Sequence, residues 1–424
     1  MHAQLEYIAV GLLVLTIIIS FNQVIGTLTQ RLEPVREEQL YTVAERVMDK
    51  IVLTPGYPED WGTNILVTPD TLKDFGLALS GSRTPYILDP DKVMRLANLT
   101  TLPNPLLLNS SRLADILALS RDYGFRLVMR PALNIGIEVA QWYQAKNKLY
   151  YPATLKVNLT NYYGMGVPNA NITVMYAIVR VSPGNEKQGQ VEERTIFVRG
   201  GLTNAVGVCY IDFTSDLQSY FSSPGSTSDK WYFPIIIAHA NWQGYTSVAG
   251  YAPTGDKSPS VEAYIIGNYL FVNRTVEVVE IIRGQGNANS GAVHVKDDLL
   301  QAVPIYGDLL NFTSVQWCRD SSGNFRNDNP LCNVAGSVLP SARQWYLIGY
   351  ISYVEPLSSY VFVFAKWRGN PVAIVVNRIP VIDISFGGGN ARPANSVTLR
   401  RLATLYTYPY VVELTIWRKV EGYP

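Results

Sequence analysis

Few residues in this chain are equipped for covalent or metal chemistry. Among 424 residues there are only three cysteines and three histidines, too few for a dedicated zinc site. Cys209 sits in an apolar, alternating stretch and reads as a buried thiol. Cys318 and Cys332 flank a polar loop; in an oxidising compartment they would pair, closing a loop of about 15 residues and contributing roughly 3 kcal/mol. His239 lies inside the apolar run Ile235–Ala240 and reads as a core or strand-face residue. His294 alternates with Val293 and Val295 and is expected to face solvent. Neither has a serine or cysteine in a nucleophile elbow beside it. Asp297 and Asp298 stand alone, and no carboxylates are spaced for acid–base pairing. The glycines between Gly284 and Gly291 match a dinucleotide fingerprint only in composition, since no strand–turn–helix surrounds them. Gly387-Gly388-Gly389-Asn390 is too bare of cations for a phosphate cradle. The expectation is a non-enzyme with no cofactor and no metal.

What remains is modification and assembly. Six Asn-x-Ser/Thr sequons begin at Asn98, Asn109, Asn158, Asn171, Asn273 and Asn311, candidate N-glycosylation sites of an extracellular part. Net charge is +1 and charged residues make up 16%, below the usual quarter; no basic face is visible, so nucleic acid is not an expected partner. Pro, Gly and Tyr numbers of 25, 32 and 27 suit β-rich domains with many turns.

The elements that must carry these residues begin with Ile8–Leu28. No charge lies between Glu6 and Arg31, an interval of about 36 Å as a helix against a hydrocarbon core of roughly 30 Å. This predicts a retained transmembrane anchor, with the amino terminus cytoplasmic and the bulk outside the cell. Helical spacing then continues through Leu32, Val35, Leu40, Val43, Val47 and Ile51, with Pro34 expected to kink or restart the helix. That stripe either packs against sister helices in a filament or packs on its own domain. Further helices are expected from Thr68-Pro69 to Leu79, from Asp89-Pro90 to Leu96, and from a Ser110 or Ser111 cap to Ser120.

Ala3-Gln4-Leu5-Glu6-Tyr7 running straight into an apolar helix resembles the start of archaeal type IV pilin-like proteins, whose leaders are of the class III signal type. The resemblance implies cleavage after Ala3, a mature start at Gln4, and an assembly role for Glu6; this leader lacks Lys and Arg, and Glu6 lies closer to the cut than in the family. Leu53-Thr54-Pro55-Gly56-Tyr57-Pro58 with Trp61-Gly62 resembles a linker phrase of membrane-anchored proteins of the same kind.

From Phe125 the apolar period becomes two. Strands are expected over 126–129, 134–139, two within 149–181, 232–240, 263–279, 345–353, 359–367, 372–376, 381–385 and 410–417. Pro168-Asn169-Ala170-Asn171-Ile172-Thr173-Val174, followed by Thr203-Asn204-Ala205-Val206-Gly207, resembles immunoglobulin-like modules of prokaryotic surface proteins and implies a β-sandwich. The expected organisation is therefore mainly β with an amino-terminal α part: an anchor (1–28), a helical stalk and neck (29–124), an immunoglobulin-like domain (125–283) and a second β-rich domain (284–424). The function expected is a membrane-anchored extracellular surface protein of the cell envelope, pilin-like, in filament assembly or adhesion, with the membrane and copies of itself or other envelope proteins as partners. The alternative is an anchored receptor for a sugar or peptide; an anchored hydrolase is the third reading.

Overall fold

The computed structural model describes residues 2–99, 102–145, 149–183, 189–222, 230–253, 263–273, 282–283, 292–295, 310–313, 315–318, 330–339, 346–354, 359–367, 370–388 and 395–419. The fold is mainly β. It opens with a single helix, α1 (His2–Leu53), 52 residues long, which runs on through Pro34 without a break in the helix.

The rear of α1 is fixed to the body. Leu40, Ala44, Val47, Met48, Ile51 and Val52 recur at helical spacing and are all buried, lying over strands Ser396–Leu405 and Tyr408–Arg418. Arg418 donates to Gln39 at 3.0 Å, Arg401 lies 3.9 Å from Glu45, and Lys50 is 2.6 Å from Asp74. Such exposed pairs contribute at most about 1 kcal/mol each, whereas a fully buried Leu, Ile or Met contributes about 1.5–3. Apolar burial therefore holds the rear. Of the two readings left open for the stripe, Leu40, Val47 and Ile51 follow the second and pack on the chain's own body.

The membrane-spanning anchor expected over Ile8–Leu28 is not found: among the described residues, no helix is long and apolar enough to cross a membrane. Within that run the described side chains cover residues 13–23, about 16 Å of helix and roughly half a hydrocarbon core. The apolar run is the front of one long helix whose other end is bolted to a sheet. The single-pass membrane localisation with an extracellular bulk, which rested on that anchor, is corrected with it.

The neck departs from its expected helices where tertiary contacts outbid local preference. No helix forms over 68–79. Lys73 and Asp74 donate their backbone N–H groups to the Tyr57 carbonyl, and Leu77 donates to Ile51. This return of the chain lays Phe75 5.8 Å from Trp61, whose indole donates to the Pro55 and Gly76 carbonyls. Trp61 is fully buried. The two shorter helices do form: α2 (Pro90–Met94), capped by Asp89, and α3 (Ser110–Ile116), capped by Asn109 rather than by a serine. α3 ends at Leu117, where Ala118 turns to φ 56°, short of the expected end at Ser120.

Among the described residues, the β part holds five sheets. The one beneath α1 has the order Ile87–Leu88, Ser396–Leu405, Tyr408–Arg418, Tyr123–Pro131, Ile382–Phe386. Neck, middle and carboxy-terminal segments thus share one sheet. The next two pack face to face: Leu133–Gln144, Tyr150–Asn161 and Val208–Asp212 form a three-stranded sheet, opposed to a five-stranded sheet centred on Asn171–Pro183 and Trp231–Trp242. The five-stranded sheet is buried on both faces, Ile236 and Ala238 toward this core and Ile235 and Ile237 toward the core under α1. That is why Trp231–Ala240 reads as a continuous apolar run instead of alternating. Pro234 stands opposite Ile178 on one side and lies before the start of the pairing to strand Tyr245–Tyr251 on the other, which begins at Ile236. Two four-stranded sheets complete the body, one containing Tyr346–Ile351 and the other Tyr360–Trp367, joined through a third core that includes Ile265, Leu270, Val361 and Ile374. α4 (Thr214–Ser222) packs on strand Tyr150–Asn161 and α5 (Pro330–Val338) on strand Tyr346–Ile351.

Candidate assembly surface

The front of α1 is apolar and uncovered. Leu13, Val14, Leu15, Ile17, Ile18, Ile19 and Phe21 are 48–65% exposed. At helical spacing they form adjoining rows: Leu13, Ile17 and Phe21; Val14 and Ile18; Leu15 and Ile19. Thr16, Ser20 and Gln23 form one narrow polar row between them. An ordinary surface helix has the opposite balance. Burying the seven apolar side chains would contribute on the order of 5–10 kcal/mol, more than a single surface contact supplies. The chemistry available here is association.

Ala3, Gln4 and Glu6 lie in the first turns of α1, and their side chains fall outside the described residues. Among the other sequence-predicted sites, Cys318 and Cys332 form a disulfide with an S–S distance of 2.07 Å, both sulfurs buried. The bond ties α5 to strand Val315–Trp317. Cys209 is a buried free thiol whose pKa burial raises. Of the sequons, Asn98, Asn109 and Asn171 are exposed, though Asn109 also caps α3. Asn158 is half-buried and its amide donates to Glu138 at 2.9 Å. The side chains of Asn273 and Asn311 fall outside the described residues. These positions are scattered and form no common site.

His239 is 7% exposed on its strand, and burial lowers its pKa. The side chain of His294, together with Asp297 and Asp298, falls outside the described residues, as does all of Gly284–Gly291. The glycine loop at Gly387 has a packing role: its carbonyl accepts from the Trp417 indole at 3.1 Å. The same indole fills the space over Gly124, where a Cβ would meet it at 2.3 Å. Among the described residues, no three His, Cys, Asp or Glu side chains are grouped to hold a metal.

One cluster escaped the sequence reading. On the face of the helix-bearing sheet opposite α1, Arg126 makes a two-pronged bond to Asp383 (2.8 and 2.6 Å) and Arg400 meets Glu413 at 2.6 Å. Onto this comes the loop after strand Tyr150–Asn161: Tyr162 donates to Glu413 at 2.7 Å, its ring under the guanidinium groups of Arg130 (5.4 Å) and Arg400 (5.8 Å). The bond from Arg126 holds the Asp383 carboxyl below its usual range. Burial, and then acceptance by Glu413, pushes the Tyr162 phenol up, so it stays a donor. The cluster latches the two-sheet unit to the helix-bearing sheet. Its members are 250 or more positions apart in two of these pairings, so no local spacing announces them.

The class defined is thus a mainly β chain bearing one long helix with an apolar, uncovered front. No family model matches the chain, and no curated protein matches it.

Proposed function

We propose that this chain is a structural subunit that self-assembles by bundling the front of α1 with the same segment of neighbouring copies, as the pilin-like resemblance implies. The observation that carries the reading is the broad apolar exposure from Leu13 to Phe21, interrupted only by the narrow Thr16 and Ser20 row, on a helix whose rear is immobilised. A rigid mount matters because the ordering cost of the bundle is then partly met before assembly. Identical helices offer identical rows, so a symmetric bundle buries every copy equally. Glu6, close to the helix start, is placed by the resemblance to help set register between copies.

The test is analytical ultracentrifugation of the full chain. Wild type is expected to form oligomers or filaments, and the double variant Ile17→Glu, Ile18→Glu to sediment as a monomer with an unchanged unfolding temperature. A wild-type chain that stays monomeric at every accessible concentration would sink the proposal, and so would undiminished assembly of the double variant.

A further inference from the structure

A second surface does not depend on α1. Strand Gly189–Leu202 lies toward one side of the five-stranded sheet. On one flank it pairs with strand Asn171–Pro183 from end to end. On the other, strand Ile282–Arg283 covers only Gly189 and Gln190. Thr203, the next residue, donates to Ala170 and accepts from Asn169, each at 3.0 Å, so both its backbone groups face strand Asn171–Pro183. Orientation alternates along an antiparallel ladder. Gly201, Arg199 and Phe197 therefore face the same way, and Leu202, Gly200, Val198 and Ile196 turn their N–H and C=O groups outward. Among the described residues, nothing bonds to those outward groups.

Open edges of this kind accept another strand, and natural sheets block them with charge, proline or a covering element. The described residues supply no such block from Thr195 to Leu202. The stretch has no proline. Its one charge is drawn aside, the Arg199 guanidinium donating to Asp216 at 2.7 and 3.1 Å and to Ser215 at 3.2 Å. Val198 and Leu202 are 37% and 65% exposed beside the open backbone.

We propose that this edge pairs with the same edge of a second copy, antiparallel and two-fold symmetric, with Arg199 at the axis. Side-chain size sets that register. Phe197 then lies opposite Gly201 of the second copy and Val198 opposite Gly200, so each bulky residue beside the axis stands over a glycine, and Ile196 meets Leu202. All four outward residues of each copy find an outward partner. The two Arg199 side chains arrive with their own Asp216 attached, so charges around the axis alternate instead of repelling. A strand from another protein would gain the backbone bonds but nothing obliges it to place small residues opposite Phe197 and Val198. A second copy does so by symmetry. The contact is short beside a standard interface, so it is weak alone: the front variant Ile17→Glu, Ile18→Glu still sediments as a monomer when dilute.

Amide exchange and cysteine trapping on that front variant keep the test apart from α1. By NMR, exchange at Ile196, Val198, Gly200 and Leu202 is expected to slow at least twofold between about 10 μM and about 1 mM protein, while Phe197, Arg199 and Gly201 stay protected throughout. On mild oxidation Arg199→Cys should give a covalent dimer, because directly opposed residues come close enough for a disulfide. Val198→Cys, offset from its own copy by two residues, should not. Adding Val198→Pro removes one outward N–H and leaves the ladder to Asn171–Pro183 intact; it should abolish the link at position 199 with unchanged circular dichroism. If the four outward amides exchange slowly at every concentration, the chain itself covers the edge and the proposal is overturned. If they exchange fast at every concentration, the edge is left to a strand of another protein, which overturns it equally. So does linking through Arg199→Cys that Val198→Pro leaves undiminished. None of these outcomes decides whether wild-type α1 bundles, which keeps its own sedimentation test.

Discussion

Arg95 shows how a single residue organises the neck. It is 2% exposed, donates to the carbonyls of Trp61, Val67 and Leu106, and lies 5.5 Å over the Trp61 ring. Burial lowers its pKa to about 10, still far above neutrality, so it stays charged. Arg95→Ala would leave three carbonyls unanswered, and a loss of about 3–5 kcal/mol is expected in denaturant unfolding. His239 gives a pH signature at the same scale. Its folded pKa lies below the ordinary 6.5 because burial disfavours the cation. The unfolded chain therefore takes up the proton first, and stability should fall as pH drops through 6.5. Acidic groups with ordinary values near 4 have not yet titrated there. Comparing unfolding temperatures at pH 7.5 and 5.0 for wild type and His239→Gln checks this: the variant should lose much of the difference.

At the scale of elements, α1 is one helix with two roles. Its rear buries a stripe, and its front exposes apolar rows on either side of one narrow polar row. The two halves should separate in mutagenesis. Met48→Ala opens a cavity under the sheet and should cost about 2–5 kcal/mol of stability, with assembly per folded molecule unchanged. Front substitutions should do the reverse. Chemical unfolding and sedimentation on the same samples distinguish the two; a stability loss from the front variant equal to that from Met48→Ala would show that the front, too, packs on its own body. The stretch 68–79 is the counterexample to local reasoning. Its Thr-Pro start is a sound helix signal, yet backbone bonds to Tyr57 and Ile51, and Phe75 against Trp61, take the segment elsewhere.

Across the whole molecule, the latch of Tyr162, Glu413, Arg400 and Arg130 joins units far apart in sequence. Arg400 is 44% exposed and Glu413 only 7%, so the ion pair alone is partly screened and its contribution modest. The phenol bond to the buried Glu413 matters more. Tyr162→Phe should cost about 1–2 kcal/mol and raise amide exchange in residues 161–166 before it affects the strands. Exchange unaltered in that loop would mean that apolar packing, not the latch, holds the units together. Strand Tyr123–Pro131 pairs with both Ile382–Phe386 and Tyr408–Arg418, so the central sheet closes only when the chain's end arrives. Such non-local pairing predicts slow folding.

Periodicity is local, and what depended on it was legible in the sequence. The period-two strands, the rear stripe of α1, the buried thiol at Cys209 and the Cys318–Cys332 bond all follow from residue type and near spacing. Strand Ser396–Leu405 was missed because the Arg400-Arg401 pair interrupts its alternation; the partner strand supplies Glu413 for the first, and α1 supplies Glu45 for the second. The anchor expected over Ile8–Leu28 was an inference from hydropathy alone, and hydropathy does not distinguish burial in lipid from burial against protein. Whether the stripe served the chain itself or a neighbour, which strands share a sheet, and which arginines face Tyr162 depend on contacts tens to hundreds of residues apart. Only the tertiary structure decides those, because burial is a property of the packed whole and not of any window along the chain.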